Sequence, residues 1–175
     1  IMLTVAVGFS VTKIRPGLPV PDDFDAFWDK QRAELANVKM ASTSTRVEYS
    51  DSQLECFDVQ VTCVAPRPVS GYYVKQKTAA AKSAPAILWV HGAGVRSSSL
   101  AAAVTGARAG MLSMDINAHG IANGKPADFY RTQTSGPLKD YRFSGREDRD
   151  TIYFRHMYLR IVRAIDFLTS QPEWD

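Results

Sequence analysis

Apolar and polar positions along this chain follow one rhythm up to about residue 84 and a different one after it. In the first stretch, Glu55–Cys63 alternates cleanly. Phe57, Val59, Val61 and Cys63 face one way and Asp58, Gln60 and Thr62 the other, the pattern of a half-buried strand. Thr45–Ser50 and Val69–Lys75 read as two further strands. Short polar connections make an antiparallel meander the economical arrangement for the three. The alanine- and lysine-rich stretch Gln76–Ser83 reads as an exposed loop. Then Ala86-Ile87-Leu88-Trp89-Val90 runs without a polar residue, as expected of a strand buried on both faces. A helix follows over Ser97–Arg108, broken at Gly110, and Met111–Asp115 is a second short buried strand. Residues 116–145, rich in glycine, proline, asparagine and aromatics, read as a long loop. The longest helix spans Asp150–Ser170, with Phe154, Tyr158, Ile161, Ile165 and Leu168 at helical spacing and Pro172 as its stop. Strand, glycine turn, helix, strand, loop and helix form a βαβ-type series, which implies parallel strands.

Upstream, residues 1–15 read as strand and Pro16–Pro21 as a proline-punctuated linker. A helix opens at Asp22 or Asp23 as N-cap, with Phe24, Phe27, Trp28 and Leu35 on one stripe, a docking face.

Composition narrows the function classes. The 175 residues are 45% hydrophobic and 22% charged, with 21 basic against 18 acidic side chains. Neither sign forms long runs, so no nucleic-acid partner is expected. No apolar stretch is long enough for a membrane span. The apolar start Ile1–Val7 lacks a basic leader and resembles a strand rather than a signal peptide. Cys56 and Cys63, seven apart on a strand, point to opposite faces, which disfavours a disulfide between them and makes no zinc site. His119 and His156 have no partners at metal-ligand spacing, so no metal is expected. Neither phosphate-binding glycine motif is present, which argues against a nucleotide; no cofactor is expected.

The informative segment is Val90-His91-Gly92-Ala93-Gly94. A buried strand ending in His-Gly-X-Gly turns sharply and offers free N–H groups at its carboxyl end. Such groups can stabilise the oxyanion formed when an ester carbonyl is attacked. The plainer alternative is a strand-to-helix turn in which His91, Gly92 and Gly94 only shape the backbone. Asp115, ending the next strand, reads best as an acceptor that fixes loops. Arg146–Asp150 reads as helix capping and local ion pairs. No Gly-x-Ser-x-Gly occurs in the chain, and Ser97, Ser98 and Ser99 lie just past the first turn, a poor place for a nucleophile.

Together these segments resemble the acetyl xylan esterase and cephalosporin C deacetylase family, carbohydrate esterase family seven. The carriers are Asp23-Phe24-Asp25-Ala26-Phe27-Trp28, Ser70-Gly71-Tyr72-Tyr73-Val74, the Asp115 to Gly120 segment, and Tyr153 to Leu168 with Arg163-Ala164. The resemblance covers about residues 20–175 and implies an α/β-hydrolase sheet that begins antiparallel and continues with parallel strands and helices. It implies the domain division 1–15, end of an upstream β-domain; 16–21, linker; and 22–175, the N-terminal half of the hydrolase domain, ending before the nucleophile elbow. It places a backbone oxyanion donor on Ala93, where family members usually carry tyrosine. Serine, aspartate and histidine of the triad are then expected beyond Asp175.

The expected parent is a serine esterase that deacetylates acetylated xylan or xylo-oligosaccharides, with this chain inactive by itself. Another α/β-hydrolase, dienelactone-hydrolase-like or peptidase-like, is the alternative; a non-catalytic domain is a third reading. An acetylated carbohydrate is the expected partner, a homo-oligomer one expected state, and the periplasm or the exterior the expected location.

Overall fold

The computed structural model describes residues 8–64 and 66–175. Its elements are α1 (Phe24–Ala36), β1 (Ser42–Val47), β2 (Leu54–Val61), β3 (Val69–Gln76), β4 (Ala86–Val90), α2 (Leu100–Arg108), β5 (Leu112–Ile116), α3 (Ala127–Ser135) and α4 (Tyr153–Thr169). One five-stranded sheet has the order β1-β2-β3-β5-β4. The first three strands form the expected meander, β3 pairs antiparallel with β5, and β4 lies parallel to β5. The fold is therefore α/β, with an antiparallel start and a parallel continuation.

Each face of the sheet takes one helix. Val59, Val61, Val69, Tyr73, Leu112, Met114 and Ile116 pack with Ala164, Phe167 and Leu168 of α4. Leu54, Cys56 and Val74 pack with Ala103, Val104 and Ala107 of α2. Cys56 thus lies under α2 while Cys63 packs on the α4 side; both are free thiols. Helix α2 approaches closely because Gly106 has no side chain: a Cβ there would lie 2.4 Å from Ser113 Oγ and 2.7 Å from Ile87.

The strand expected over 1–15 is absent from its described part, where Val11–Lys13 form a 3-10 turn; residues 1–7 lie outside the described residues. β1 begins three residues earlier than its pattern suggests, because its side chains are exposed and its register follows the ladder with β2. The loop over 116–145 contains α3 and a 3-10 turn at Tyr141–Phe143, elements without an unbroken apolar stripe. On α1 the buried side chains are Gln31 and Leu35, and Phe24 stays 46% exposed. The charged run 146–150 forms turns, not a cap: α4 starts at Tyr153 with no acidic residue in its first turn. Its ion pairs do form, Arg146 with Glu147 at 3.0 Å and Arg149 with the distant Asp23 at 2.6 Å.

β4 is half-buried rather than buried on both faces, and Val90 is 57% exposed. The cause is its position: β5 takes the interior place, and β4 lies at the end of the order. Among the described residues the only pairing beside its free edge is an isolated parallel bridge between Ala84 and Trp174, just ahead of the strand. An apolar edge strand with unpaired backbone groups is a template for another chain. We expect the isolated 175-residue chain to self-associate, its light-scattering mass rising with concentration, and Val90→Lys to reduce that rise. A monomer at every concentration would exclude pairing through this edge.

Candidate active site

Parallel strands β4 and β5 end side by side, and the turns that leave them meet. In open α/β sheets ligands bind at this carboxyl edge. The turn after β4 tightens through Gly94 N–H to the Gly92 carbonyl, at 2.7 Å. Neither Gly92 nor Gly94 has a left-handed φ, and a Cβ on either would meet nothing within 4 Å. Their lack of side chains therefore leaves open space beside the turn. His91 approaches the Gly92 carbonyl through Nδ1 at 2.6 Å. The chain then enters α2 with Ser99 as N-cap, its Oγ accepting from Ala102 N–H at 3.1 Å.

Ala93 is held through its carbonyl. The Tyr141 hydroxyl donates to it, and His119 Nε2 approaches it at 3.3 Å. A carbonyl only accepts, so the Nε2 contact requires its proton there. His119 Nδ1 is then free to accept from the Tyr153 hydroxyl at 2.9 Å. The imidazole is fully buried and meets the Tyr141 ring edge-on at 4.6 Å between centroids. Burial is the main cause that pulls the His119 pKa down to about 4; Arg160, Arg67 and His91 push the same way, and the contact to Ala93 opposes them. The residue is a neutral strut at ordinary pH. Among the described residues the Ala93 N–H itself donates to no group.

A buried polar cluster fixes the loop that carries His119. Asn117 Nδ2 donates to Ile121 O at 2.8 Å and Asn123 Oδ1 at 3.0 Å, while its Oδ1 accepts from His119 and Ile121 N–H at 3.2 and 3.1 Å. Asn123 in turn reaches Asp58 at 2.8 Å and Ser70 Oγ at 3.0 Å, and accepts from Ser98 N–H at 3.0 Å. Gly120 is obligatory: φ is +62°, and a Cβ would lie 2.2 Å from the Pro68 carbonyl. Asp115 accepts from Ser99 N–H at 2.6 Å, the loop-fixing role its position suggested. Burial raises its pKa, against the Ser99 bond and the nearby His91 and Arg96. Ser97 accepts from Gly124 N–H at 3.1 Å and Ser98 donates to Ser70 O at 3.2 Å, so both act as loop ties. Among the described residues no three histidine, cysteine or acidic side chains converge as metal ligands.

The structure thus brings His91, Gly92, Ala93 and Gly94 into one turn and adds His119, Tyr141 and Tyr153, which sequence reasoning did not single out as site residues. The available signal was a histidine in an asparagine- and glycine-rich loop directly after a buried strand. The tyrosines lie 22 and 34 residues further on, at no motif spacing.

The sequence pattern of the acetyl xylan esterase (AXE1) family matches residues 9–175. The acetyl esterase Axe7A of Xylanibacter ruminicola is 31% identical over 176 residues, which cover 98% of this chain and 39% of that protein. The solved acetyl xylan esterase from Paenibacillus sp. R4 superposes with a TM-score of 0.76 at 26% identity, covering 92% of this chain and 51% of that one. Acetyl xylan esterase 1 from Thermoanaerobacterium sp. JW/SL YS485 superposes with a TM-score of 0.70 at 22% identity, a likeness of fold, over 90% of this chain and 49% of that one. The chain therefore spans 39% of that curated relative's length and about half of each solved structure.

Neutral burial of His119 has a pH consequence. Its pKa is about 4 folded and roughly 6.5 unfolded, so between these values the unfolded state binds the extra proton. Stability contributed by the neutral ring is complete above about pH 6.5 and is lost as pH falls toward 4, by about 3 kcal/mol. Urea unfolding of the wild type and His119→Gln across this range should show a shallower fall for the variant. Equal slopes would mean that His119 ionises as it does in the unfolded chain.

Proposed function

Because the chain belongs to the acetyl xylan esterase family, we propose that the protein it comes from removes acetyl groups from xylan or xylo-oligosaccharides by a serine acyl-enzyme mechanism, with Ala93 N–H as one oxyanion donor. The observation that carries this reading is the state of the Ala93 peptide groups. The carbonyl is gripped by Tyr141 and His119, while the N–H is unpaired at the carboxyl edge of the sheet. A donor already oriented where negative charge develops needs no reorganisation in the transition state, which is why such groups accelerate acyl transfer. Serine would attack the ester carbonyl and pass its proton to histidine; histidine would return it to the departing sugar hydroxyl, and water would release acetate.

No Gly-x-Ser-x-Gly lies within the 175 residues. We assign the nucleophile, the acid and the histidine to the part of the esterase that the longer relatives contain and this chain does not cover. The free edge of β4 supports that assignment, since a strand there would end beside the Ala93 turn. Alanine in place of the family's tyrosine leaves the pocket wider. A polymeric substrate suits a periplasmic or secreted location.

In the full-length protein, Ala93→Pro removes the N–H and should lower turnover of 4-nitrophenyl acetate on the order of 10²–10³. Ala93→Tyr keeps the N–H and should shift substrate preference instead, with the chemical step retained. The 175-residue chain alone should release no acetate above background. Serine-dependent turnover by that chain, or unchanged turnover in Ala93→Pro, would overturn the reading.

A further inference from the structure

Beside the Ala93 turn lies a second feature that oxyanion stabilisation does not use. Where the turn runs on into Val95 and Arg96, it faces α3 across a cleft of about 380 Å³, walled by Ala127, Tyr130, Arg131 and Thr134. Its walls are mostly apolar, and the side chains of Arg96 and Arg131 are part of its rim. We propose that this cleft is a subsite for a carboxylate-bearing sugar, a uronic acid carried as a side group next to the acetylated unit. The proposal rests on the carbohydrate-esterase reading above.

Charge balance is the first argument. Arg96 has no carboxylate within 4 Å among the described residues. Its one side-chain contact is Nε to His91 Nδ1 at 3.3 Å. That ring nitrogen is also 2.6 Å from the Gly92 carbonyl. A nitrogen whose proton points at a carbonyl cannot also accept, so the shorter contact leaves Arg96 unpaired. Arg131 pairs with Asp128 one turn earlier on α3, but the side chains are 72% and 78% exposed. A pair so solvated contributes little and does not withhold Arg131 from an incoming anion. Asp115 is the other acid near Arg96; it is buried and already committed to Ser99 N–H.

Shape and rigidity supply the second. Tyr130 is fixed by its hydroxyl, which donates to Ala122 O at 3.0 Å and accepts from Lys125 N–H at 3.2 Å. Phe129 and Tyr130 pack in the same apolar cluster as Ala93 and Val95. The aromatic wall and the turn therefore rest on the same apolar core. A ligand suited to this cleft has one apolar face for Tyr130 and Val95 and a planar anion for guanidinium forks. A pyranose with a carboxylate meets both demands, because arginine binds carboxylates in a bidentate, charge-assisted geometry. An unbranched neutral sugar leaves the arginines unused, and a small inorganic anion leaves the apolar wall unused.

The test is calorimetric binding to the full-length protein with ligands that carry no acetyl group, so that its outcome is independent of esterase activity. Three ligands are compared: unbranched xylotriose, xylotriose with one uronic acid branch, and the methyl ester of that branched sugar. The free acid should bind roughly tenfold more tightly than either of the others, the effect of one charge-assisted contact. That advantage should vanish in Arg131→Gln and partly return in Arg131→Lys. Equal affinities for the three ligands, or an advantage that survives Arg131→Gln, would overturn the proposal. So would displacement of the acidic sugar by inorganic phosphate at equal concentration, which would mark a general anion patch. Release of acetate from the acetylated sugars, measured separately, tests the esterase reading on its own.

Discussion

Every residue of β5 is buried, with a packed layer on each face, and the rest of the fold follows from covering it. Leu112, Met114 and Ile116 face α4, and Ser113 faces α2, which sits so close that Gly106 cannot carry a side chain. A strand buried on both faces needs a neighbour on each edge as well as a layer on each side. β3 takes one edge in antiparallel pairing and β4 the other in parallel. The parallel choice matters most. It brings the ends of β4 and β5 to the same rim, so that the loop holding His119 meets the turn holding Ala93.

That meeting creates a polar problem. Loops entering a packed rim carry backbone groups away from water, and an unpaired group there is costly. Asn117 uses both amide hydrogens and both lone pairs, which also fixes which way its amide points. Asn123 extends the pairing to β2 and β3 through Asp58 and Ser70. His119 solves the remaining demand as a neutral ring that donates on one side and accepts on the other. A charged ring would satisfy neither Tyr153 as donor nor the surrounding apolar packing. The turn's rigidity is thus a by-product of satisfying buried groups, not a separate device.

The periodic parts of this arrangement were legible in the residues alone. Alternation placed Phe57, Val59 and Val61 on one face of β2, and apolar runs located β4 and β5 to within a residue. The 3.6-residue spacing found α4, whose start was missed by three residues because an acidic cluster imitated a cap. β1 had little alternation to read, since all its side chains but Val47 are exposed and backbone pairing with β2 sets its register. The His91–Gly94 turn was visible through its glycines and the strand before it. The Tyr141 and Tyr153 contacts were not, because they join residues 48 and 34 positions from their partners through tertiary packing alone.

Helix α4 links these levels through arginines that seek carbonyls more than acids. Arg163 is 4% exposed and donates to Leu35 O at 2.6 Å and Val38 O at 3.0 Å, closing the C-terminal end of α1. A cation there also complements the helix dipole. Arg155 reaches Gln31 and Glu34 in the last two turns of α1. Arg160, 2% exposed, donates to Pro68 O and Ala118 O, both at 3.2 Å, and so ties the His119 loop to the same helix. Burying a guanidinium without a carboxylate is tolerable only when its hydrogens are met by fixed acceptors, and burial duly lowers the Arg160 pKa. Tyr153, which completes the His119 contacts, opens this helix. Hydrogen bonds thus run from α1 through Arg155 and Arg163 to α4, and from α4 through Tyr153 and Arg160 to the loop whose His119 holds the Ala93 carbonyl.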